Sequence, residues 1–285
     1  MRNYLSYIAD TLSEEIVSAR PLTGGDISSA YLLKTGERTY FLKVNNKPFA
    51  EEMFRAEHKG LQAIADTRTI AVPHVHLVDS YEGNSFLLMD FIVSKRPDSA
   101  DYQRLGAEVA QLHQCTLDDF GFSDDNFIGS LPQSNRPHST WASFYWAERI
   151  LPQLQRAVGE NLLSRKEIPA ENKAISRFSD CFGEVKASLL HGDLWGGNYL
   201  ITKEGTPYLI DPALYYGHAM VDISMSHLFG GFGTEYYDAY HEIIPKPANY
   251  AEQMELYQLY YLLVHLNLFG SGYHSSVSSI LKRYF

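Results

Sequence analysis

Three polar residues flank a pair of short apolar runs in this chain. Asp193 and Asn198 are five positions apart, and Asp211 follows thirteen positions after Asn198, directly behind an apolar run. The runs at 199–201 and 207–210 are strand-like, and the Lys-Glu-Gly-Thr segment between them is typical of a hairpin turn. The pattern therefore predicts a hairpin that carries the three polar residues on and beside it.

These residues suit the chemistry of phosphoryl transfer, which needs an oriented hydroxyl, a carboxylate to accept its proton, and metal ions that neutralise the phosphates. Asp193 and Asn198 have the spacing of the base and the Mg²⁺ ligand in a protein-kinase catalytic loop, and His191 stands two positions before the Asp as it does there. An isolated Asp is more often a cap or turn residue. Because both motifs occur in order between strands, we predict that Asp193 is the base and that Asn198 and Asp211 bind Mg²⁺.

The order of predicted elements divides the chain into two lobes. Residues 1–90 read as strand, strand, helix, strand, strand, and we assign them to a small, β-rich, nucleotide-binding lobe. Residues 91–285 form the larger, mainly helical lobe for catalysis and substrate binding. Its predicted helices cover 102–114, 141–158 with a kink at Pro152, 172–182, 219–229, 236–244 and 250–268. The fold class is α+β.

The small lobe has a candidate phosphate-binding lysine. Lys43 lies in the strand-like run 40–44, like the strand lysine of kinases. Glu57 falls between Phe54 and Leu61, on the apolar stripe of the next helix, where a charge is costly unless it is paired. We therefore predict an ion pair between Lys43 and Glu57 that orients the lysine towards ATP.

Two more segments of this lobe are candidates for contact with ATP. Gly24 and Gly25 precede the lysine strand, and glycines let a backbone approach an anion and present its N–H groups. Asp90 and Ile92 end the lobe at the position of a hinge, where backbone groups can hydrogen-bond adenine.

The composition indicates which kinds of partner are excluded and in which compartment we expect the protein. The chain has 34 acidic and 24 basic residues, a formal net charge of -10, so it would repel a polyanion and we expect no nucleic-acid partner. Its two cysteines are far apart, which gives no disulfide framework and no zinc motif. No apolar run is long enough to span a membrane. We expect a cytoplasmic protein with no membrane partner.

Several longer motifs extend the pattern beyond the catalytic residues. They are His191-Gly192-Asp193-Leu194-Trp195-Gly196-Gly197-Asn198, Ile210-Asp211-Pro212-Ala213, Tyr215-Tyr216-Gly217-His218, Asp222 ahead of Leu228-Phe229-Gly230-Gly231-Phe232, and the upstream Leu112-His113-Gln114 and Asn126-Phe127-Ile128-Gly129. Together they resemble the fructosamine kinase, or ketosamine 3-kinase, family within the aminoglycoside-phosphotransferase-like group. The resemblance covers nearly the whole chain.

The resemblance implies a protein-kinase-like fold and ATP- and Mg²⁺-dependent phosphorylation of the 3-hydroxyl of ketosamines, carried by small molecules or by glycated proteins. In that family the phosphate ester destabilises the adduct, so the implied process is deglycation. Trp195, next to the base, is a candidate to stack on the sugar. Some eukaryotic members carry a redox-active cysteine in the glycine-rich turn, where this chain has Asp26. We therefore expect no thiol-controlled dimerisation through that turn. Our expectation for the oligomeric state is a monomer.

Two alternatives remain open from the sequence. Another small-molecule kinase of the group, acting on an aminoglycoside, choline or a sugar, would share the same catalytic motifs. A nucleotide-binding pseudokinase that regulates a partner is disfavoured, because Lys43, Asp193, Asn198 and Asp211 are all present. Gly192 stands where protein kinases have the Arg that reads a phosphorylated activation loop, so we expect no control of that kind.

Overall fold

The computed structural model describes residues 3–23 and 27–285, and the chain divides into two units. One unit comprises Met1–Arg96 and Leu200–Ile210, and the other comprises Pro97–Tyr199 and Asp211–Phe285. Gly24, Gly25 and Asp26 lie outside the described residues, so what we predict for them stays a prediction.

The first unit is built on an antiparallel sheet. Its elements are α1 (Asn3–Leu12), β1 (Ile16–Leu22), β2 (Ser29–Thr35), β3 (Thr39–Asn45), α2 (Ala50–Thr67), β4 (Val75–Tyr81) and β5 (Asn84–Asp90). The sheet order is β1-β2-β3-β5-β4. The predicted strand-strand-helix-strand-strand order is confirmed, and α1 and β1 precede it as elements that we had not predicted.

Side-chain alternation along β3 separates two cores. Leu42 and Val44 point to one face, where they pack with Ile8 of α1 and Phe86. Lys43 lies between them in sequence and pairs in register with Leu87, whose side chain packs with those of Phe54 and Met89 on the α2 side of the sheet. The strand period therefore directs the lysine towards α2.

The second unit is mainly helical. Its elements are α3 (Ser99–His113), β6 (Thr116–Leu117), β7 (Asn126–Ile128), β8 (Leu131–Gln133), α4 (Trp141–Phe144), a π-helical turn (Tyr145–Ile150), α5 (Leu151–Gly159), a 3₁₀ turn (Arg165–Glu167), α6 (Glu171–Phe182), β9 (Ala187–Leu190), β12 (Tyr215–Gly217), α7 (Met220–Leu228), α8 (Thr234–Ile243), α9 (Tyr250–Phe269), a 3₁₀ turn (Ser271–Tyr273) and α10 (His274–Tyr284). The predicted hairpin is also present, as β10 (Tyr199–Ile201) and β11 (Pro207–Leu209), and apart from Tyr199 it belongs to the first unit. The predicted α+β class is confirmed.

Helix α9 forms the centre of this unit. Between Leu256 and Leu266 its side chains are buried on all sides, except for half-buried Gln258 and His265. A helix that is apolar all round belongs in a core rather than on a surface. Among the described residues, no helix combines the length and the apolar character needed to cross a membrane.

The helix predicted at 141–158 is present but is not regular. Its middle, Tyr145–Ile150, is a π-helical turn, and the Leu151 N–H donates to the Trp146 carbonyl. This turn lies just before Pro152, where we predicted a kink. Proline has no N–H to continue the α-helical ladder, and a π turn is one way for a helix to absorb that interruption.

The close contact between α3 and α8 can be tested by a substitution at Gly106. A methyl group added at Gly106 would lie 2.1 Å from the Tyr236 carbonyl oxygen. We expect Gly106→Ala to lower the free energy of unfolding by about 1–3 kcal/mol, because backbone atoms must move apart to admit the methyl group. Urea unfolding of both proteins measures the difference.

Gly159→Ala is the matched control. Gly159 is also helical, but nothing lies within 4 Å of its added methyl group, and alanine favours helix over glycine. Unfolding midpoints that are equal for the two variants would show that the α3 and α8 contact is not as close as described.

Candidate active site

The segment that carries Asp193 is held by a buried carboxylate. Asp222 of α7 is fully buried, and its two oxygens accept the backbone N–H groups of His191, at 2.7 Å, and Gly192, at 2.9 Å. His113 of α3 places its Nε2 3.1 Å from the same carboxylate, and its Nδ1 lies 2.8 Å from the Tyr240 hydroxyl. A buried carboxylate is stable only when its oxygens are hydrogen-bonded. Asp222 therefore fixes the backbone just before Asp193.

Gly192 permits a close backbone approach. Its φ is 82°, in the left-handed region that favours glycine, and a side chain there would begin 2.0 Å from the Ala213 carbonyl oxygen. The Ala213 N–H donates to the His191 carbonyl at 2.9 Å, and the Tyr261 hydroxyl donates to the Gly192 carbonyl at 2.8 Å. The segment after Asp211 is thus joined directly to the loop that carries Asp193. An arginine at 192 would prevent this contact.

Asp193, Asn198 and Asp211 form one electrostatic group. Asn198 is buried, and its side-chain amide donates to the Asp193 backbone carbonyl at 2.8 Å and to its carboxylate at 3.1 Å. Burial, and next the negative charge of Asp211, raise the pKa of Asp193 to about 7, while the hydrogen bond from Asn198 opposes that rise. Asp211 is therefore close enough to Asp193 to influence its pKa.

Asp211 has an unusual backbone conformation. Its φ of 56° lies in the left-handed region, which costs energy for a residue with a side chain, although Asp tolerates it better than most. The chain after it is anchored by side chains from the β7–β8 hairpin. Asn126 donates to the Leu214 carbonyl at 2.7 Å, and Gln133 donates to the Asn126 side-chain oxygen at 2.7 Å and to the Ala213 carbonyl at 3.3 Å.

Sequence reasoning missed these anchors. Gln133 also accepts a hydrogen bond from Tyr260 of α9, so the buried side chains of the hairpin are joined to the helical core. The signal available in the sequence was a pair of amide residues in a segment rich in turn residues, which does not show their partners. Polar residues that bond to distant backbone groups leave no spacing pattern.

The donor set fits Mg²⁺. The Asn198 amide nitrogen faces Asp193, which leaves its oxygen available, and within residues 3–23 and 27–285 we find no hydrogen-bond donor to that oxygen. Carboxylate and amide oxygens are ligands that Mg²⁺ prefers, usually together with waters and substrate phosphates. The described part of the chain has no cluster of three or more His, Cys, Asp or Glu residues able to enclose a metal. Sparse protein ligation of this kind is typical of Mg²⁺ at phosphoryl-transfer sites.

Trp195 is on the surface beside this group. Its side chain is 40% exposed, and its ring lies over Gly197, where an added methyl group would come within 2.4 Å of the ring carbons. Gly196 packs in turn against Gly231, with a separation of 3.1 Å from the position of its would-be Cβ to the Gly231 Cα. The two glycines after Trp195 therefore allow its ring to fold back over the loop while remaining accessible.

In the first unit, the predicted ion pair is present. Lys43 Nζ lies 2.7 Å from Glu57 Oε1, and the side chains are only 12% and 13% exposed. A charge pair this well buried is held in one geometry more firmly than an exposed pair, because water screens it less. The lysine is thus pre-positioned by α2.

The predicted adenine contacts lie at the end of β5. The Asp90 N–H donates to the His74 carbonyl at 2.9 Å, and its carboxylate lies 2.8 Å from His76 Nε2. The Asp90 amide is therefore already used within the sheet. The contact with adenine predicted for backbone groups near Asp90 and Ile92 stays a prediction.

Comparison with known proteins agrees with this geometry. The model of the fructosamine kinase family matches residues 3–285. A protein-ribulosamine 3-kinase, chloroplastic, from Arabidopsis thaliana is 38% identical over 280 residues, which are 95% of this chain and 83% of that protein. The crystal structure of a putative fructosamine-3-kinase from Haemophilus somnus 129PT superposes with a TM-score of 0.88 at 28% identity, covering 98% of this chain and 96% of that one.

A more distant likeness concerns the fold alone. Aminoglycoside phosphotransferase APH(4)-Ia, in a ternary complex with ADP and hygromycin B, has a TM-score of 0.65 at 16% identity and covers 97% of each chain. The predicted fold of the aminoglycoside-phosphotransferase-like group is confirmed by it. Because the family model spans the described chain almost end to end, the chain belongs to the fructosamine kinase family.

Proposed function

We propose that this protein is an ATP- and Mg²⁺-dependent kinase that phosphorylates the 3-hydroxyl of ketosamines. The observation that carries the proposal is the group formed by Asp193, Asn198 and Asp211, a base and two metal ligands coupled by a hydrogen bond and by charge. Membership of the fructosamine kinase family and similarity to a protein-ribulosamine 3-kinase support the choice of acceptor.

In this mechanism Asp193 orients the acceptor hydroxyl and takes its proton as the oxygen attacks the γ-phosphorus and ADP leaves. A carboxylate whose pKa is about 7 can accept a proton near neutral pH, which an ordinary Asp does poorly. Asn198 fixes the carboxylate through its side-chain N–H, so that one oxygen is positioned for the incoming hydroxyl. Asp222 keeps the backbone of this loop from shifting.

The nucleotide side is assigned to the first unit. Lys43, oriented by Glu57, binds the ATP phosphates, and backbone groups around Ile92 bind adenine. Asn198 and Asp211 would hold Mg²⁺, which when bound neutralises phosphate charge. Trp195 offers an exposed aromatic face to the sugar.

The proposed product is a 3-phosphate ester of the sugar, and the proposed role is removal of sugars from amines of small molecules or of glycated proteins. We also propose that the protein works in the cytoplasm, since Cys115 and Cys181 are both free thiols. The monomeric state stays a prediction.

A substrate panel tests the proposal. Mg²⁺-dependent ADP release should be seen with fructose- and ribulose-derived amines, and product analysis should place the phosphate on the 3-hydroxyl. Aminoglycosides and choline should give no more than background release. If they were the only acceptors used, the assignment of the substrate would be wrong.

Asp193→Asn should reduce kcat by about 10²–10⁴, the usual contribution of a general base, without weakening ATP binding measured by calorimetry. Asp238→Asn, on the exposed surface of α8, is the matched control and should keep full activity. Turnover that survives in the Asp193 variant would remove Asp193 from the role of base.

Asn198 combines two roles that substitution can separate. Asn198→Ala removes both the side-chain oxygen and the N–H that donates to Asp193, so both the Mg²⁺ requirement and kcat should suffer. Asn198→Asp keeps an oxygen ligand, loses the donor and adds a negative charge, so the Mg²⁺ concentration for half-maximal rate should not rise while kcat falls. A Mg²⁺ titration of the rate distinguishes the variants, and an equal Mg²⁺ requirement in both would contradict the assigned metal ligand.

Glu57→Gln should raise the KM for ATP by roughly tenfold or more, a free-energy loss of at least ~1.4 kcal/mol, because Lys43 loses the charge that positions it. The KM for the ketosamine should change little. Glu52→Gln, on the exposed side of the same helix, serves as the control. The role assigned to the ion pair fails if both variants raise the KM for ATP to the same extent.

A further inference from the structure

Four aromatic side chains form a surface group next to the catalytic loop, which we call the aromatic cage. Its members are Phe229 at the end of α7, His265 and Phe269 on the last turns of α9, and Tyr273 in the following 3₁₀ turn. The His265 ring centroid lies 4.4 Å from that of Phe229, 5.3 Å from that of Phe269 and 5.2 Å from that of Tyr273. Phe229 and Phe269 are 39% and 56% exposed.

The cage adjoins the catalytic loop through a glycine contact. Phe229 is followed by Gly230 and Gly231, and Gly231 packs against Gly196, the residue after Trp195. The Gly231 carbonyl is fixed by the Tyr199 hydroxyl, which donates to it at 2.7 Å. Trp195 and Phe229 therefore belong to two segments that meet at one close backbone contact.

His265 gives the cage a hydrogen-bond acceptor. Its Nδ1 lies 2.8 Å from the Tyr261 carbonyl oxygen, and since a carbonyl can only accept, Nδ1 must carry the proton. Nε2 is then the unprotonated nitrogen, and none of residues 3–23 and 27–285 hydrogen-bonds to it. Burial lowers the pKa of His265 below its usual value, which keeps the ring neutral.

Aromatic faces around a neutral acceptor are suited to an ammonium group. The π faces attract a cation, and the imidazole nitrogen can accept one of its N–H groups. The formal net charge of -10 also favours a cationic ligand over an anionic one.

We propose that the aromatic cage is the subsite for the protonated amine of the substrate and the carbon chain attached to it. This inference rests on the proposed function, because the amine of a ketosamine is attached to C1, two carbons from the hydroxyl that Asp193 would deprotonate. With the sugar against Trp195, the amine and its substituent extend away from Asp193 along the same surface. The cage then selects sugars that carry an amine over free sugars.

Two ligands of the same shape test the charge. One is 1-butylamino-1-deoxyfructose, which is cationic near neutral pH, and the other is 1-O-butylfructose, in which an ether replaces the amine. Phe269→Leu and Phe229→Leu keep an apolar side chain but remove the π face, and His265→Phe keeps a ring but removes the acceptor. Each variant should raise the KM for the amine by roughly five- to thirty-fold, with the KM for ATP and the KM or Ki of the ether unchanged.

Phe49→Leu is the matched control, since Phe49 is an exposed aromatic residue of the other unit, and it should change neither ligand's constants. Thermal unfolding confirms that each variant is folded. Calorimetric binding of both ligands to the full chain without nucleotide gives a readout that does not need turnover. Weaker binding of the amine alone supports the subsite even if no ketosamine is phosphorylated, in which case only the proposed function fails. Equal weakening for amine and ether, or no weakening, overturns the subsite.

Discussion

The site depends on one buried carboxylate. Asp222 accepts two consecutive backbone N–H groups, those of His191 and Gly192, so the direction of the chain is fixed just before the catalytic Asp. Both oxygens of one buried side chain are used in these bonds, so the two backbone groups are held in a single geometry. These bonds could not be replaced by water, because Asp222 is inaccessible to solvent. The position of Asp193, and through it that of Asn198, follows from this bond pair.

A second constraint is the accumulation of negative charge. Burial, and next the negative charge of Asp211, raise the pKa of Asp193 above its ordinary value. The two carboxylates stay close together because hydrogen bonds hold the backbone beside each of them. Asp222 holds the backbone before Asp193, and Asn126 and Gln133 hold the backbone after Asp211. An arrangement that is unfavourable when empty becomes favourable when a cation or a proton enters it, which is the property a phosphoryl-transfer site needs.

The sequence predicted well those features that are marked by a regular spacing of residues over a short segment. The β10–β11 hairpin was recognisable from two short apolar runs joined by a turn that contains glycine. Glu57 was identifiable because a charge on the apolar stripe of a helix requires a partner, and that partner is Lys43. The anchors Asn126 and Gln133 were not predictable in the same way. Their partners are backbone carbonyls some eighty residues away, and any residue type can supply a carbonyl, so no pattern marks them. The π-helical turn before Pro152 was missed for a related reason, since the proline signals a break but not its form.

Gly196, next to Trp195, and Gly231, two residues after Phe229, join the segment of the proposed base to the segment of the proposed acceptor subsite. Gly196 and Gly231 approach so closely that a side chain on either would meet the other's backbone, so the loop after α7 can reach the catalytic loop only because both lack one. Whatever the acceptor touches on this side is therefore built from residues next to those glycines. The proposed base and metal ligands are residues that kinases of many acceptors share. The contact between Gly196 and Gly231, in contrast, is formed by motifs that are specific to the fructosamine kinase resemblance. The segment of the proposed base and that of the proposed acceptor subsite are thus joined through one close backbone contact.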